Sequence, residues 1–383
     1  MTALKKTNCF SFNILDFLWI ILLLTLFPCR LIFNVQYGIK FFISIIVFLY
    51  LVGHLPRKLL INNSCCFPIC IILSGLLNFF LSDYYSFIDL LNSLVYSLLF
   101  YDVYTLAILY KKRKAVCRLY YITYKVLGVF VLLSIISIFL YDNNLINSNS
   151  IYFFGSKFIT IYIMIFFITM YLIRSKCKNK ILFFIYILFA IYISLYIKCG
   201  TGTVILVVYL LMCLIPTKIK KVLMDKKMII ISFILSGCFV YFATKILNMQ
   251  SVHNFVYGLF NRSTTVTGRL LIYSEYLFKV INNHLFFGNG YNNYLMSIIS
   301  NNYFANAQNG MFQIVLDYGI TGLISLLFII YTSTNKLCKG VEIFPFYSCL
   351  YALILAGIFE ISINWVFFIT LAFIHVYNDT SVL

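Results

Sequence analysis

Residues 111–140 read KKRKAVCRLYYITYKVLGVFVLLSIISIFL, and this stretch decides the fold. It opens on four consecutive cations, Lys111, Lys112, Arg113 and Lys114, and closes on an apolar run from 119 to 140. An α-helix needs roughly 20 such residues to cross a hydrocarbon core about 30 Å thick. A basic flank marks the side on which the helix is anchored. The same pairing recurs in both directions. Apolar runs occur near 14–33, 37–53, 64–82, 91–110, 119–140, 154–173, 181–198, 203–216, 228–247, 310–331, 343–360 and 362–377. They predict about twelve membrane helices in one polytopic domain over 1–383. Ten to thirteen are allowed, because Pro216 cuts one run short and only Glu360 to Asn364 divide the last two. The expected fold class is an all-α integral membrane protein.

Composition supports this reading. Apolar residues make up 63% of the chain, while Asp, Glu, Lys and Arg make up only 10%, against roughly 25% in a soluble domain. A soluble chain of this length has too little interior for so many apolar side chains. A cytosolic enzyme, a disordered tail and a small disulfide scaffold are therefore excluded. The net charge of +18 does not point to nucleic acid, because the cations sit in short clusters between apolar runs. With the N-terminus inside, 21 of the 29 Lys and Arg fall on the inner side. This orients the chain by the positive-inside rule. No small-x-small cleavage site follows the first run, and Lys5 and Lys6 hold the N-terminus inside. The 12 Cys lie mostly within apolar runs and show no CxxC metal pattern.

Three outer connections stand out: 141–157, the turn Lys198 to Thr203, and the long stretch 248–308. Connections this long are usually functional or disordered, and the grouped Phe, Tyr and Leu in the last argue for order. Two arginines break the topological bias there, Arg262 and Arg269, in Asn261-Arg262-Ser263-Thr264-Thr265-Val266-Thr267-Gly268-Arg269. A guanidinium presents a planar fork of donors suited to diphosphate and carboxylate. Anchoring to anionic headgroups is the competing explanation. Residues 269–284 read as a helix with Thr267 as N-cap, which puts Arg269 in the first turn, where the peptide dipole favours an anion. Glu275 is spaced to pair with Lys279 or to serve as a catalytic base. His284 opens His284-Leu285-Phe286-Phe287-Gly288-Asn289-Gly290-Tyr291. It reads as a surface histidine or an acid–base group. Gly288 and Gly290 suggest a tight turn, either a plain one or one whose N–H groups meet an anion. Gln308 and Asn309 lead into a span that carries Asp317, and an acid inside a span is a functional hypothesis by default.

Three signatures in order resemble a known family: Thr267-Gly268-Arg269 before a short helix, the His284–Tyr291 element, and Gln308-Asn309-Gly310 followed by Gly319-Ile320-Thr321-Gly322. Together they resemble the bacterial O-antigen ligase and Wzy-type polysaccharide polymerase superfamily. The resemblance implies a GT-C-like, metal-independent glycosyltransferase with no cofactor, in the bacterial cytoplasmic membrane. It implies an undecaprenyl-diphosphate-linked oligosaccharide as substrate. It further implies membrane lipids, a flippase and a chain-length regulator as partners. By the same resemblance Arg269 binds the donor diphosphate. Gln308 and Asn309 stand where the family has His-Asn, and Lys198 stands where a second outer arginine often lies. Gln308 departs from the pattern: an amide orients a hydroxyl but does not act as a base at neutral pH. Lys198 turns a bidentate clamp into a point charge. The expected product is an O-antigen, capsular or exopolysaccharide chain. An O-antigen ligase and a lipid-linked oligosaccharide flippase are the alternatives.

Overall fold

The computed structural model describes residues 13–27, 36–83, 85–140, 152–176, 179–247, 272–291, 306–334 and 341–377. Each of the twelve apolar runs is occupied by a helix. In chain order these are α1 (Ile14–Leu26), α2 (Gln36–His54), α3 (Cys66–Leu81), α4 (Phe87–Lys112), α5 (Val116–Leu140) and α6 (Lys157–Arg174). They continue as α7 (Lys180–Tyr196), α8 (Gly200–Leu214), α9 (Lys226–Leu247), α10 (Gly310–Thr334), α11 (Phe344–Ala356) and α12 (Trp365–Tyr377). No strand occurs among the described residues.

Among the described residues five helices are long and apolar enough to cross a membrane: Asn63–Leu81, α4, α5, α6 and α10. A sixth crossing results if α8 and the helix Thr217–Leu223, bent by 119° at Pro216, form one broken span. The expected twelve crossings go beyond this. α1, α11 and α12 have 13 residues each, about 20 Å of helix at 1.5 Å per residue. That is short of the roughly 30 Å hydrocarbon core. Large apolar side chains such as Phe42, Phe80, Leu132 and Leu188 are exposed along the bundle, as a lipid-facing surface requires and a water-facing one rarely tolerates.

Sequence sets the helix ends. Ser86 caps α4, its Oγ accepting from Asp89 N at 3.3 Å while Ser86 N donates to Asp89 Oδ2 at 3.0 Å. This reciprocal pair satisfies two of the donors a helix start leaves open. Ser156 caps α6 through Ile159 N. At the other end of α7, Lys198 takes φ of 52°. Its N–H donates to Leu195 O at 3.0 Å, and Cys199 N donates to Ser194 O at 2.9 Å. That is the Schellman closure, with lysine in the place usually held by glycine.

α12 lies at the centre, packed on α4, α6, α10 and α11, and every residue from Val366 to Ile374 is buried. Lipid tails are as apolar as leucine, so such packing draws on dispersion and buried hydrogen bonds rather than on water exclusion. Aromatic rings supply much of it. Phe373 meets Tyr120 at 5.1 Å, and Phe368 meets Phe100 at 4.9 Å. At the basic end Asp16, 1% exposed, is held by Arg118, whose Nε donates to Oδ1 at 2.9 Å and whose Nη2 donates to Oδ2. Tyr110 OH donates to the same Oδ1 at 3.0 Å, so one carboxylate ties α1, α4 and α5 together.

Candidate functional site

α10 is interrupted at Gly319, with φ 67° and ψ −166°. A break inside a membrane helix frees carbonyls before it and N–H groups after it, and hydrocarbon supplies no water to receive them. The segment 285–290 supplies the partners instead. Asn289 N donates to Leu316 O at 2.8 Å, and Gly290 N donates to Asp317 O at 2.9 Å. Beyond the break, Ile320 N donates to Leu285 O at 2.9 Å, and Thr321 N donates to Phe286 O at 3.2 Å. Side chains add to the seal: Asn289 Nδ2 donates to Leu316 O and Thr321 Oγ1 to Phe286 O.

Backbone approaches backbone so closely here that side chains are excluded. A Cβ at Gly319 would lie 2.2 Å from Phe286 O, and one at Gly288 would lie 2.4 Å from Tyr318 N. Two signatures that look separate in the sequence, the Gly288-Asn289-Gly290 turn and Gly319, are therefore one structural unit. α3 holds it from behind. Ser74 Oγ donates to Asp317 O at 2.9 Å, and Asn78 Nδ2 donates to Gly288 O at 2.9 Å.

This corrects the expectation for Gly288 and Gly290. Their N–H groups do not face an anion. Gly288 N donates to His284 O at 2.8 Å, and the next two N–H groups are consumed by the broken helix. His284 itself is half-buried and follows the short helix Leu277–Asn283, inside the region expected to be helical.

Asn309 caps α10. Its Oδ1 accepts from Phe312 N at 3.0 Å, and its Nδ2 donates to Ser236 O and Ile358 O at 3.1 and 3.3 Å. Fully buried, it joins α9, α10 and the connection between α11 and α12. Gly310 N donates to Gly357 O in that connection at 2.7 Å. Gln308, half-buried with φ 49°, has a carbonyl that accepts from Tyr273 OH at 3.0 Å. Its side-chain amide makes no hydrogen bond among the described residues. Gln313 relays inward: Oε1 accepts from Ala307 N and Nε2 donates to Asp317 Oδ1, both at 2.9 Å.

Lys198 is exposed on the α7–α8 turn. The next residue, Cys199, is buried, and its carbonyl accepts from Ser194 Oγ at 3.0 Å. Arg262 and Arg269 lie outside the described residues, as does the side chain of Glu275, whose backbone belongs to the turn Ile272–Tyr276.

Sequence reasoning missed the aromatic wall beside the break. Tyr96 stacks on Tyr291 at 4.5 Å and meets Trp365 at 4.7 Å. Tyr85 OH donates to Asp89 O at 3.0 Å and lies 2.6 Å from Ser93 Oγ, and burial pushes this phenol above its ordinary range. It also missed Ser74 and Asn78, although two polar residues four apart in an apolar run are a readable sign of a buried helix face.

Residues 198–327, about a third of the chain, match the family described as O-Antigen ligase. The match begins at Lys198 and ends in α10 beyond the break, so the arginine-bearing stretch, the 285–290 clamp and the α10 cap all fall within it. No curated protein and no solved structure matches the chain. Over this segment the chain is similar to the O-antigen ligase and Wzy-type superfamily, as its three ordered signatures imply.

Proposed function

We propose that this protein polymerises undecaprenyl-diphosphate-linked oligosaccharide repeats at the outer face of the bacterial cytoplasmic membrane. The observation that supports this reading is the family match over 198–327, which encloses the arginine-bearing stretch, the 285–290 clamp and the α10 cap and which a polymerase and a ligase share. In the reaction, a hydroxyl of one repeat attacks the anomeric carbon of another chain. The C–O bond to the lipid diphosphate breaks, the diphosphate leaves with the bonding pair, and the hydroxyl proton passes to a base. The leaving group is already good, so the protein's main task is to orient the reactants and stabilise charge.

Arg269 is the diphosphate ligand in this proposal, with Arg262 and Lys198 as supporting cations. The Gln308 amide, which makes no hydrogen bond among the described residues, orients the acceptor hydroxyl. Asn309 acts indirectly by fixing the start of α10. Gly288 and Gly290 act through the seal on the broken helix. Glu275 or His284 is the base. The proposal includes a cytoplasmic N-terminus, about twelve helices in a GT-C-like arrangement and, as partners, a flippase and a chain-length regulator.

A ligase that moves finished glycan to another acceptor is the second reading, favoured by the printed description of the matched family. Nothing in the family match favours a flippase. Surface glycan from cells lacking the gene, complemented with wild type or Arg269→Ala, separates these readings. A polymerase predicts single lipid-linked repeats in the null. Arg269→Ala then lowers chain formation by about 100-fold or more, the usual cost of removing a donor to the developing charge. Full-length chains retained on the carrier lipid assign the ligase. Wild-type glycan from a normally inserted Arg269→Ala protein overturns the role of that residue.

A further inference from the structure

A polar cavity of about 260 Å³ opens at the basic end of the bundle, between the turn after α2 and the ends of α10 and α12. α10 starts at the outer signatures and runs toward this cavity, so the two sites lie at opposite ends of that helix. Lys58, Asn63, Tyr104, Thr332, Ser333 and His375 supply hydrogen-bonding side chains to its wall, and none of its lining residues is acidic.

The wall divides into a fixed part and an available part. Asn62 and Ser64 are spent on each other: Asn62 Oδ1 accepts from Ser64 N at 2.8 Å and from Ser64 Oγ, while Asn62 Nδ2 donates to Leu59 O at 2.9 Å. These bonds set the turn and leave the side chains of Lys58 and Asn63 without a hydrogen bond or ion pair among the described residues. Deeper in, Tyr104 is 2% exposed, and its hydroxyl meets Ser333 Oγ at the long distance of 3.5 Å. The 3-10 turn Asn63–Cys65 runs on into α3, so the positive end of that helix faces the same space. Ile61, 80% exposed, gives the cavity an apolar rim, and the buried Ile329 lines its interior.

We infer that this cavity binds a phosphate group, and that its source is the headgroup of an anionic glycerophospholipid. A lysine beside neutral donors, with no competing carboxylate, matches an anion with several acceptor oxygens. Basic pockets between membrane helices take lipid headgroups in this way. The volume suits a phosphate with its glycerol, and lies below the roughly 300–1,000 Å³ of sites for larger ligands.

The test is calorimetric titration of the purified full-length protein in detergent with dihexanoyl phosphatidylglycerol and, separately, with inorganic phosphate. Lys58→Gln and Asn63→Asp alter the available part of the wall. Lys112→Gln removes an exposed cation from the same end outside the lining. All three positions are exposed, so the fold tolerates the changes. The lipid is expected to bind the wild type, with affinity weakened about tenfold by Lys58→Gln. Asn63→Asp, which brings a negative charge to the anion, weakens it at least as much. Lys112→Gln stays within twofold. Inorganic phosphate that binds as tightly as the lipid, with the same dependence on Lys58, keeps the phosphate site but overturns the lipid as its source. Absence of binding, equal binding by Lys58→Gln, or equal loss in Lys112→Gln overturns the site itself.

Discussion

Two helix breaks in this molecule have opposite solutions. At Gly319 the chain interrupts α10 deep in the bundle, and the distant segment 285–290 supplies a partner for each of Leu316 O, Asp317 O, Ile320 N and Thr321 N, with Ser74 of α3 adding a second donor to Asp317 O. At Pro216 the chain turns by 119° near the basic end, and the repair is local. Pro216 has no N–H to satisfy, and its own carbonyl accepts from Ile219 N and Lys220 N at 3.1 Å. The Lys220 ammonium reaches back to Cys213 O at 2.7 Å. A break in a buried environment therefore becomes a tertiary contact, whereas a break at the water boundary remains a matter for its neighbours in sequence.

Changes at the two breaks should differ accordingly. Gly319→Ala places a Cβ against Phe286 O and forces a left-handed φ on alanine. The expected loss is about 3 kcal/mol or more, read as a fall in melting temperature in detergent or as loss of inserted protein. A variant as stable as wild type would end the claim that the two backbones interlock. Asn78→Leu keeps the volume but leaves Gly288 O without its donor. It should cost about 1–3 kcal/mol. The effect should shrink when Gly319 is already altered, because both changes act on the same seal. Lys220→Met at the exposed break should cost less than about 1 kcal/mol, and its effect should add independently to either of the others. Strong coupling between Lys220 and Gly319 would erase the distinction between a local and a tertiary repair.

The same contrast explains what could be read from the sequence. Helix positions follow from hydropathy alone, so all twelve runs became helices, and Pro216 ended its run as proline must. Asn309 was legible as an amide at a helix start. The α10 break was not, because 310–331 is continuously apolar and Gly319 alone does not separate a tolerated glycine from an interruption. Only the arrival of 285–290 decides that. For this reason the N–H groups of the Gly288-Asn289-Gly290 turn look available in the sequence, whereas Gly288 N is taken by His284 O and the acceptors of Asn289 N and Gly290 N, Leu316 O and Asp317 O, lie far along the chain. The left-handed backbone of Lys198 was not legible either, since it follows from the end of α7 rather than from the residue type. The aromatic wall joins Tyr96, Tyr291 and Trp365, which are far apart in sequence, and no local pattern brings them together.

The central place of α12 also has a bearing on how the chain is made. A membrane protein is threaded into the bilayer from its N-terminus, so α12 is the last described helix to emerge from the ribosome. Until it does, Trp19, Tyr120, Phe166 and Phe346 wait for the single ring of Phe373 that touches all four. Phe67 and Phe100 wait in the same way for Phe368. The early helices thus assemble around a vacancy, and the bundle closes only once α12 has emerged. A chain cut short before Trp365 exposes its unfilled centre to the membrane's quality-control proteases.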